Sequence, residues 1–241
     1  MIYIQSKSKE LTISHHFDCA CALYGAIDTG VDYKFVTFEE VQSGKWDNLI
    51  KRNLFVGSVE FMREVFSRIG KTDVRVPRNS NRKCDFITLG EAFERTKDGS
   101  KLFIKPIEIK LFTGLVLDGF RYSCLESLSK DTQLMSYGVF DGVIQSEYRI
   151  YVLNNKIIDS HCYSGSFEVI PDFNYVRNII EENTDFPVSY TIDIGILDNG
   201  KNVVVEFNDM WAIGNYGVPN DLYIRMLKER YFEITGGFKY I

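Results

Sequence analysis

The sequence predicts an α+β protein built as a small α/β unit followed by a larger, mainly antiparallel domain. Over roughly the first 75 residues, short apolar strands alternate with helical stretches. Further on, two pairs of alternating segments meet at turn residues, Asn154-Asn155 and Asp198-Asn199-Gly200. Between the two regimes lies KTDVRVPRNSNRKCD, residues 71–85, which is polar, carries one Pro and has little periodicity. These observations divide the chain into domains 1–80 and 81–241.

Each element follows in order. MIYIQ reads as a strand, Asp18 to Ala26 as a helix, DYKFVTF as a second strand and Lys45 to Lys51 as a short helix. NLFVGS is a strand that ends in a Gly-Ser turn. Ser58 then caps an amphipathic helix that sets Val59, Met62, Val65, Phe66 and Ile69 on one face, with Gly70 as its stop. In the second domain Thr88 caps a helix running to Thr96, DGS turns the chain, and LFIKPI is a strand interrupted by Pro106. SEYRIYVLNNKIIDSHCY is a β-hairpin about its two asparagines. Asp172 caps the helix YVRNIIEE, YTIDIGIL and NVVVEFN form a second hairpin, and DLYIRMLKERYFEI closes the chain as a helix.

Composition narrows the function classes. The 241 residues are 45% apolar and 25% charged, as in a globular domain large enough for a sizeable core. No apolar run approaches the ~20 residues of a membrane helix, and MIYIQSKSKELTIS lacks a secretory pattern, so a cytoplasmic protein without a membrane partner is expected. A net charge of −5 speaks against a nucleic-acid partner. From Lys71 to Lys110, however, ten Lys or Arg face six Asp or Glu, which reads either as a solvated face or as a sink for a polyphosphate. Five irregularly spaced cysteines give no disulfide framework. HHFDCAC, with Cys19 and Cys21 behind His15 and His16, lacks the ligand spacing and the second cluster of a zinc site, so its thiols are expected to be buried.

The residues able to carry chemistry sit in the strands. Glu206 and Asn208 are two apart and share a face, and Asp193 in the partner strand can fall near them across the hairpin. Three hard oxygen ligands suit Mg²⁺, which completes its shell with water and phosphate oxygens. Glu206 follows three valines, in a run apolar enough to be buried, where an unpaired carboxylate is costly. Lys105 lies in an otherwise apolar strand and needs an anion for its ammonium. Lys110 follows five residues on. Glu147, Arg149 and Tyr151 share one strand face, and the planar fork of Arg149 can bind a phosphate or a carboxylate. His161 is read as structural rather than as a base. The sequence has no GxxxxGK[ST] loop, no GxGxxG fingerprint and no GxSxG elbow.

In order, FIKP with KLFTG, SEYRIYVLNNKII, and VEFNDMWAIGNYG followed by the helix carrying Lys228-Glu229-Arg230-Tyr231 resemble the ATP-grasp superfamily, and within it the clade named for one arginine and two lysines. The resemblance spans roughly residues 85–235. It implies two α+β lobes clamping ATP, preceded by a small α/β domain. It further implies that Lys105 and Lys110 contact ATP phosphates, that Arg149 lies beside the phosphates or the acid substrate with Glu147 nearby, and that adenine rests against Gln133 to Val139, with Met135 among its contacts. Asp193, Glu206 and Asn208 would hold Mg²⁺, and the DMWAIGNYG loop would shape the floor of the site.

The activity expected is an ATP-dependent carboxylate–amine ligase. ATP converts a carboxylic acid to an acyl phosphate, which an amine on an amino acid, a peptide or a protein terminus then attacks. Such chemistry needs positioning and charge neutralisation more than a protein nucleophile. Two alternatives stand beside it: kinase-like phosphotransfer on the same fold, and a nucleotide-binding module that acts through a protein partner.

Overall fold

The computed structural model of the chain describes residues 1–7, 17–72, 74, 84–108, 111–120 and 122–237. They fall into two compact units: Met1–Asn79 together with Ile144–Ile241, and Ser80–Val143. The candidate boundary segment, most of 73–83, lies outside the described residues.

The first unit begins with alternating strands and helices: β1 (Ile2–Gln5), α1 (Phe17–Asp28), β2 (Tyr33–Val36), α2 (Phe38–Gln42), α3 (Asp47–Ile50), β3 (Leu54–Val56) and α4 (Val59–Ser67). The strands form a parallel sheet in the order β2-β1-β3. Ser58 accepts a hydrogen bond from the Phe61 N–H and so caps α4, whose Phe61, Met62, Val65 and Phe66 are buried. α2, absent from the sequence reading, is started by a full capping box between Thr37 and Glu40.

The second unit contains β4 (Cys84–Thr88), α5 (Leu89–Arg95), β5 (Leu102–Pro106), β6 (Leu115–Leu117), α6 (Ser123–Glu126) and β7 (Gln133–Gly138). Its strands form an antiparallel sheet in the order β4-β7-β5-β6 around Ile87, Ile104, Leu117 and Leu134. Thr88 caps α5 as expected. β5 ends at Pro106, which has no N–H for a further ladder bond.

The chain then returns to the first unit with β8 (Ile144–Leu153), β9 (Lys156–Gly165), α7 (Phe173–Glu182), β10 (Ser189–Leu197), β11 (Asn202–Asp209) and α8 (Asn220–Thr235). These strands form an antiparallel sheet in the order β11-β10-β8-β9. Asn154 and Asn155 turn the first hairpin with φ of 51° and 57°, the mirror-image turn that asparagine tolerates. The second unit runs from Ser80 to Val143, and residues from Ile144 onward share a unit with the first 79. The reason is apolar: Met210, Tyr223, Leu227 and Tyr231 share one core with Ile4, Phe55 and Phe66. α8 also lies close against α1, where a Cβ on Gly25 would sit 2.5 Å from the Asn220 carbonyl oxygen.

Candidate active site

The site is built on β10, which is buried along its whole length. Tyr190, Ile192, Ile194 and Ile196 point into the core beneath α7, with Tyr148, Ile150 and Val152 of β8. The alternation of a strand therefore turns Thr191, Asp193 and Gly195 to the opposite face. There one rung crosses all four strands, because His161 is opposite Arg149, Arg149 opposite Asp193, and Asp193 opposite Glu206.

A β-bulge decides where Glu206 points. Asp193 pairs with Glu206 but Ile194 pairs with Val204, so Val205 is the extra residue. Val204 stays in the core while Glu206, two residues on, reaches the Asp193 face half-buried. Asn208 lies opposite Thr191, and its side-chain amide donates to Asp193 Oδ2 at 3.2 Å.

Arg149 and Asp193 are 4% and 1% exposed. Arg149 Nε donates to Asp193 Oδ1 at 2.8 Å, Nη2 to Oδ2 at 2.7 Å, and Nη1 to the Gly214 carbonyl at 3.1 Å. Three of five guanidinium N–H bonds are thereby engaged, which leaves one on each of Nη1 and Nη2.

The loop after β11 closes over this pair. Trp211 meets the Phe66 ring edge-on, the Tyr223 hydroxyl donates to the Ile213 carbonyl at 2.6 Å, and the Tyr216 N–H donates to the Tyr151 hydroxyl at 3.0 Å. Pinned in this way, the Tyr216 ring lies 4.3 Å from the Arg149 guanidinium, with Tyr163 at 5.8 Å. Gly217 has φ of +118°, and a Cβ there would fall 2.9 Å from His161 Nδ1. The loop thus packs against Arg149 and His161 on this face of the sheet.

The charges are unequal. Burial raises the Asp193 carboxyl above its ordinary range and Glu206 and Glu147 push the same way, against the pull of Arg149. Burial pulls the Arg149 guanidinium down, but the hydrogen bonds and charge of Asp193 outweigh it and hold it above its usual value. The Tyr163 hydroxyl, bonded to Glu147, is raised by burial and then by the charges of Asp193, Glu147 and Glu206. The charges of Glu206 and Glu147 both bear on Asp193, a field that a divalent cation would offset. Among the described residues no three His, Cys, Asp or Glu side chains gather as a metal group. The set is two carboxylates and an amide, and Asn208 directs its N–H at Asp193, so its carbonyl oxygen is what it can offer a cation. Such oxygen donors fit Mg²⁺ as a partial shell.

Lys105 and Met135, in the second unit, are direct partners across β5 and β7, and Lys105 Nζ lies 5.7 Å from the Phe103 ring. Lys110 lies outside the described residues. Gly114 fits close to the Lys105 stem, since a Cβ there would meet its Cγ at 2.8 Å. His161 Nε2 is 3.2 Å from Asp159 Oδ2, and its ring meets Tyr151 edge-on. Cys19 and Cys21 are buried thiols of α1, in no disulfide, as expected. His15 and His16 lie outside the described residues. In the basic stretch, Arg95 and Lys97 form exposed ion pairs with Asp85 and Glu94. Sequence reasoning missed Tyr163, Tyr216 and the Arg230–Asp209 pair, two bonds of 2.6 Å that tie α8 to the end of β11. The E-F-N-D run and the Arg in the last helix were visible. Their pairing was not.

The arrangement of sheets and helices is the ATP-grasp fold. The chain belongs to family 2 of the ATP-grasp domains in the clade named for one arginine and two lysines, and that family's model matches residues 80–226. Its structure is similar to the ATP-grasp ligase PsnB complexed with minimal precursor (TM-score 0.54, 10% identity, 95% of this chain and 98% of that one). It is also similar to D-alanine–D-alanine ligase from Bacillus anthracis complexed with ATP (0.52, 14% identity, 98% and 97%). N5-carboxyaminoimidazole synthetase from Staphylococcus aureus complexed with ADP follows (0.51, 9% identity, 99% and 78%). At these identities the likenesses concern the fold. Comparison with curated protein sequences found no match. Among the described residues no helix is long and apolar enough to cross a membrane.

Proposed function

We propose that this ATP-grasp protein is an ATP-dependent ligase that joins a carboxylic acid to an amine through an acyl phosphate, forming an amide or peptide bond. The observation that carries the reading is the acidic rung, in which Asp193 and Glu206 lie side by side with Asn208 beside them and Arg149 held against Asp193. Asp193, Glu206 and Asn208 would hold Mg²⁺, which supplies charge neutralisation for a transferring phosphoryl group. Arg149 positions Asp193, and its two remaining N–H bonds can take a phosphate or the acid substrate. In the other unit, Lys105 and Lys110 are assigned to ATP phosphates and Met135 to adenine, with Glu147 beside Arg149 in the nucleotide-binding set.

The chemistry balances in two steps. A carboxylate oxygen of the acid attacks the γ-phosphorus and ADP leaves. The amine nitrogen then attacks the acyl carbon, phosphate leaves and the nitrogen loses a proton. The chain's own part is to orient the reactants and offset charge in a site shielded by Tyr216 and Tyr163. Amino acids, peptides and protein termini are the acceptors such chemistry admits. A cytoplasmic setting belongs to the same proposal, since five cysteines outside any disulfide suit a reducing compartment.

The test is ADP release against a panel of acids, with hydroxylamine as the trapping nucleophile. Acid-dependent ADP release with a hydroxamate product supports the reading. ADP release with a stable phosphorylated product that hydroxylamine does not capture replaces it with kinase-like phosphotransfer. Failure to bind ATP with Mg²⁺ in calorimetry replaces it with a binding module working through a partner.

A further inference from the structure

A cavity of about 580 Å³ opens between α8 and the amino-terminal edge of the parallel sheet. Its volume falls within the roughly 300–1,000 Å³ of small-molecule sites. Its floor is apolar: Ile2, Leu54, Ile224 and Phe232 all line it and are buried. Because β1 and β3 are parallel, Ile2 and Leu54 begin neighbouring strands at the same edge. Ligands in open α/β sheets settle at the opposite, carboxyl edge. The rung of Arg149 and Asp193 lies on another sheet altogether.

The rim is cationic. Arg52 reaches it from the turn before β3, and Arg225 and Lys228 from successive turns of one α8 face. Among the described residues none of these three side chains has a hydrogen bond, an ion pair or a ring contact. That distinguishes them from Arg68, Arg149 and Arg230, each held by a carboxylate. Asp221 and Glu229 also line the cavity, so the rim carries three cations against two acids in a chain whose net charge is −5.

We propose that this cavity binds a small organic anion that carries an apolar group, a carboxylate or phosphate monoester on a hydrocarbon body. The body lies on Ile2, Leu54, Ile224 and Phe232, while Arg52, Arg225 and Lys228 bind the anion. Neither half suffices alone. An apolar floor of this size does not select charge, and unpaired exposed cations hold free anions weakly.

Calorimetry on the full chain tests this with hexanoate and hexyl phosphate, using hexanol and inorganic phosphate as half-ligands. A carboxylate source and a phosphate source are told apart by which of the two amphiphiles binds more tightly. Both half-ligands should bind at least about tenfold more weakly than the better amphiphile, a difference of about 1.4 kcal/mol. Arg225→Gln combined with Lys228→Gln, at exposed helix positions, should weaken that amphiphile by about tenfold or more and leave ATP turnover unchanged. Hexanol binding as well as the amphiphiles would overturn the proposal. So would unchanged affinity in the double variant, or no heat from either amphiphile at millimolar concentration. Because ATP turnover is read separately, failure here leaves the ligase reading intact, and failure of the ligase reading leaves this one intact.

Discussion

Arg149 grips Asp193 by two bonds of 2.8 and 2.7 Å, in a site where their side chains are 5% and 2% exposed. The pair sits at the centre of the acidic rung, and its third bond ties it to the loop at Gly214. Removing one partner leaves a buried charge without compensation. Arg149→Ala should therefore cost about 3–5 kcal/mol of stability in urea unfolding. Arg149→Met together with Asp193→Leu should cost less than the sum of the single changes, since neither charge is then stranded. A single-variant loss below about 1 kcal/mol would mean that solvent already relieves the pair.

Glu206 and Lys105 carry the chemical reading. Glu206→Ala and Lys105→Ala should each lower ATP turnover by about a hundredfold or more, equal to roughly 3 kcal/mol of transition-state stabilisation. Unfolding midpoints should move little, since both side chains are only half-buried. Glu206→Gln should in addition raise the Mg²⁺ concentration that gives half-maximal turnover. Near-native activity in either alanine variant would remove that residue from the site.

Tyr190 makes a prediction about pH. Its hydroxyl is buried with no hydrogen-bond partner among the described residues, and burial pushes its pKa up to about 12 from 10.0. A raised folded pKa means that the unfolded chain releases the proton first. The stabilising contribution is therefore complete below pH 10 and is lost as pH rises towards 12. Tyr190→Phe should be neutral or stabilising by about 1 kcal/mol at pH 7. It should also lessen the alkaline loss of stability by an amount on the order of 2 kcal/mol. Parallel alkaline unfolding curves for the two proteins would count against this account.

Gly217 tests the loop. With φ of +118° and no room for a Cβ beside His161, Gly217→Ala should cost about 1–3 kcal/mol. By shifting Tyr216 from the Arg149 face it should also reduce turnover. Tyr216→Phe, which keeps the ring 4.3 Å from the guanidinium, should retain most of the activity. If Tyr216→Ala is as active as Tyr216→Phe, the stacking has no functional part.

By itself the sequence determined what depends on short-range pattern. Period-two alternation placed the strands that carry Arg149, Asp193 and Glu206, the asparagine and Asp-Asn-Gly turns set their hairpins, and Ser58, Thr88 and Asp172 fixed helix starts through local hydrogen bonds. It also gave Glu206 and Asn208 a common face, because both lie beyond the bulge. Tertiary structure decided the rest. Strict alternation from the buried Val204 would have turned Glu206 into the core, and only pairing with β10, which bulges Val205, brings it beside Asp193. The grip of Arg149 on Asp193, and of Arg230 on Asp209, joins residues 44 and 21 positions apart. No local spacing encodes such contacts. Likewise, residues from Ile144 onward pack with the first 79 because α8 has an apolar face that α1, β3 and α4 cover, and burial of apolar surface does not follow chain order.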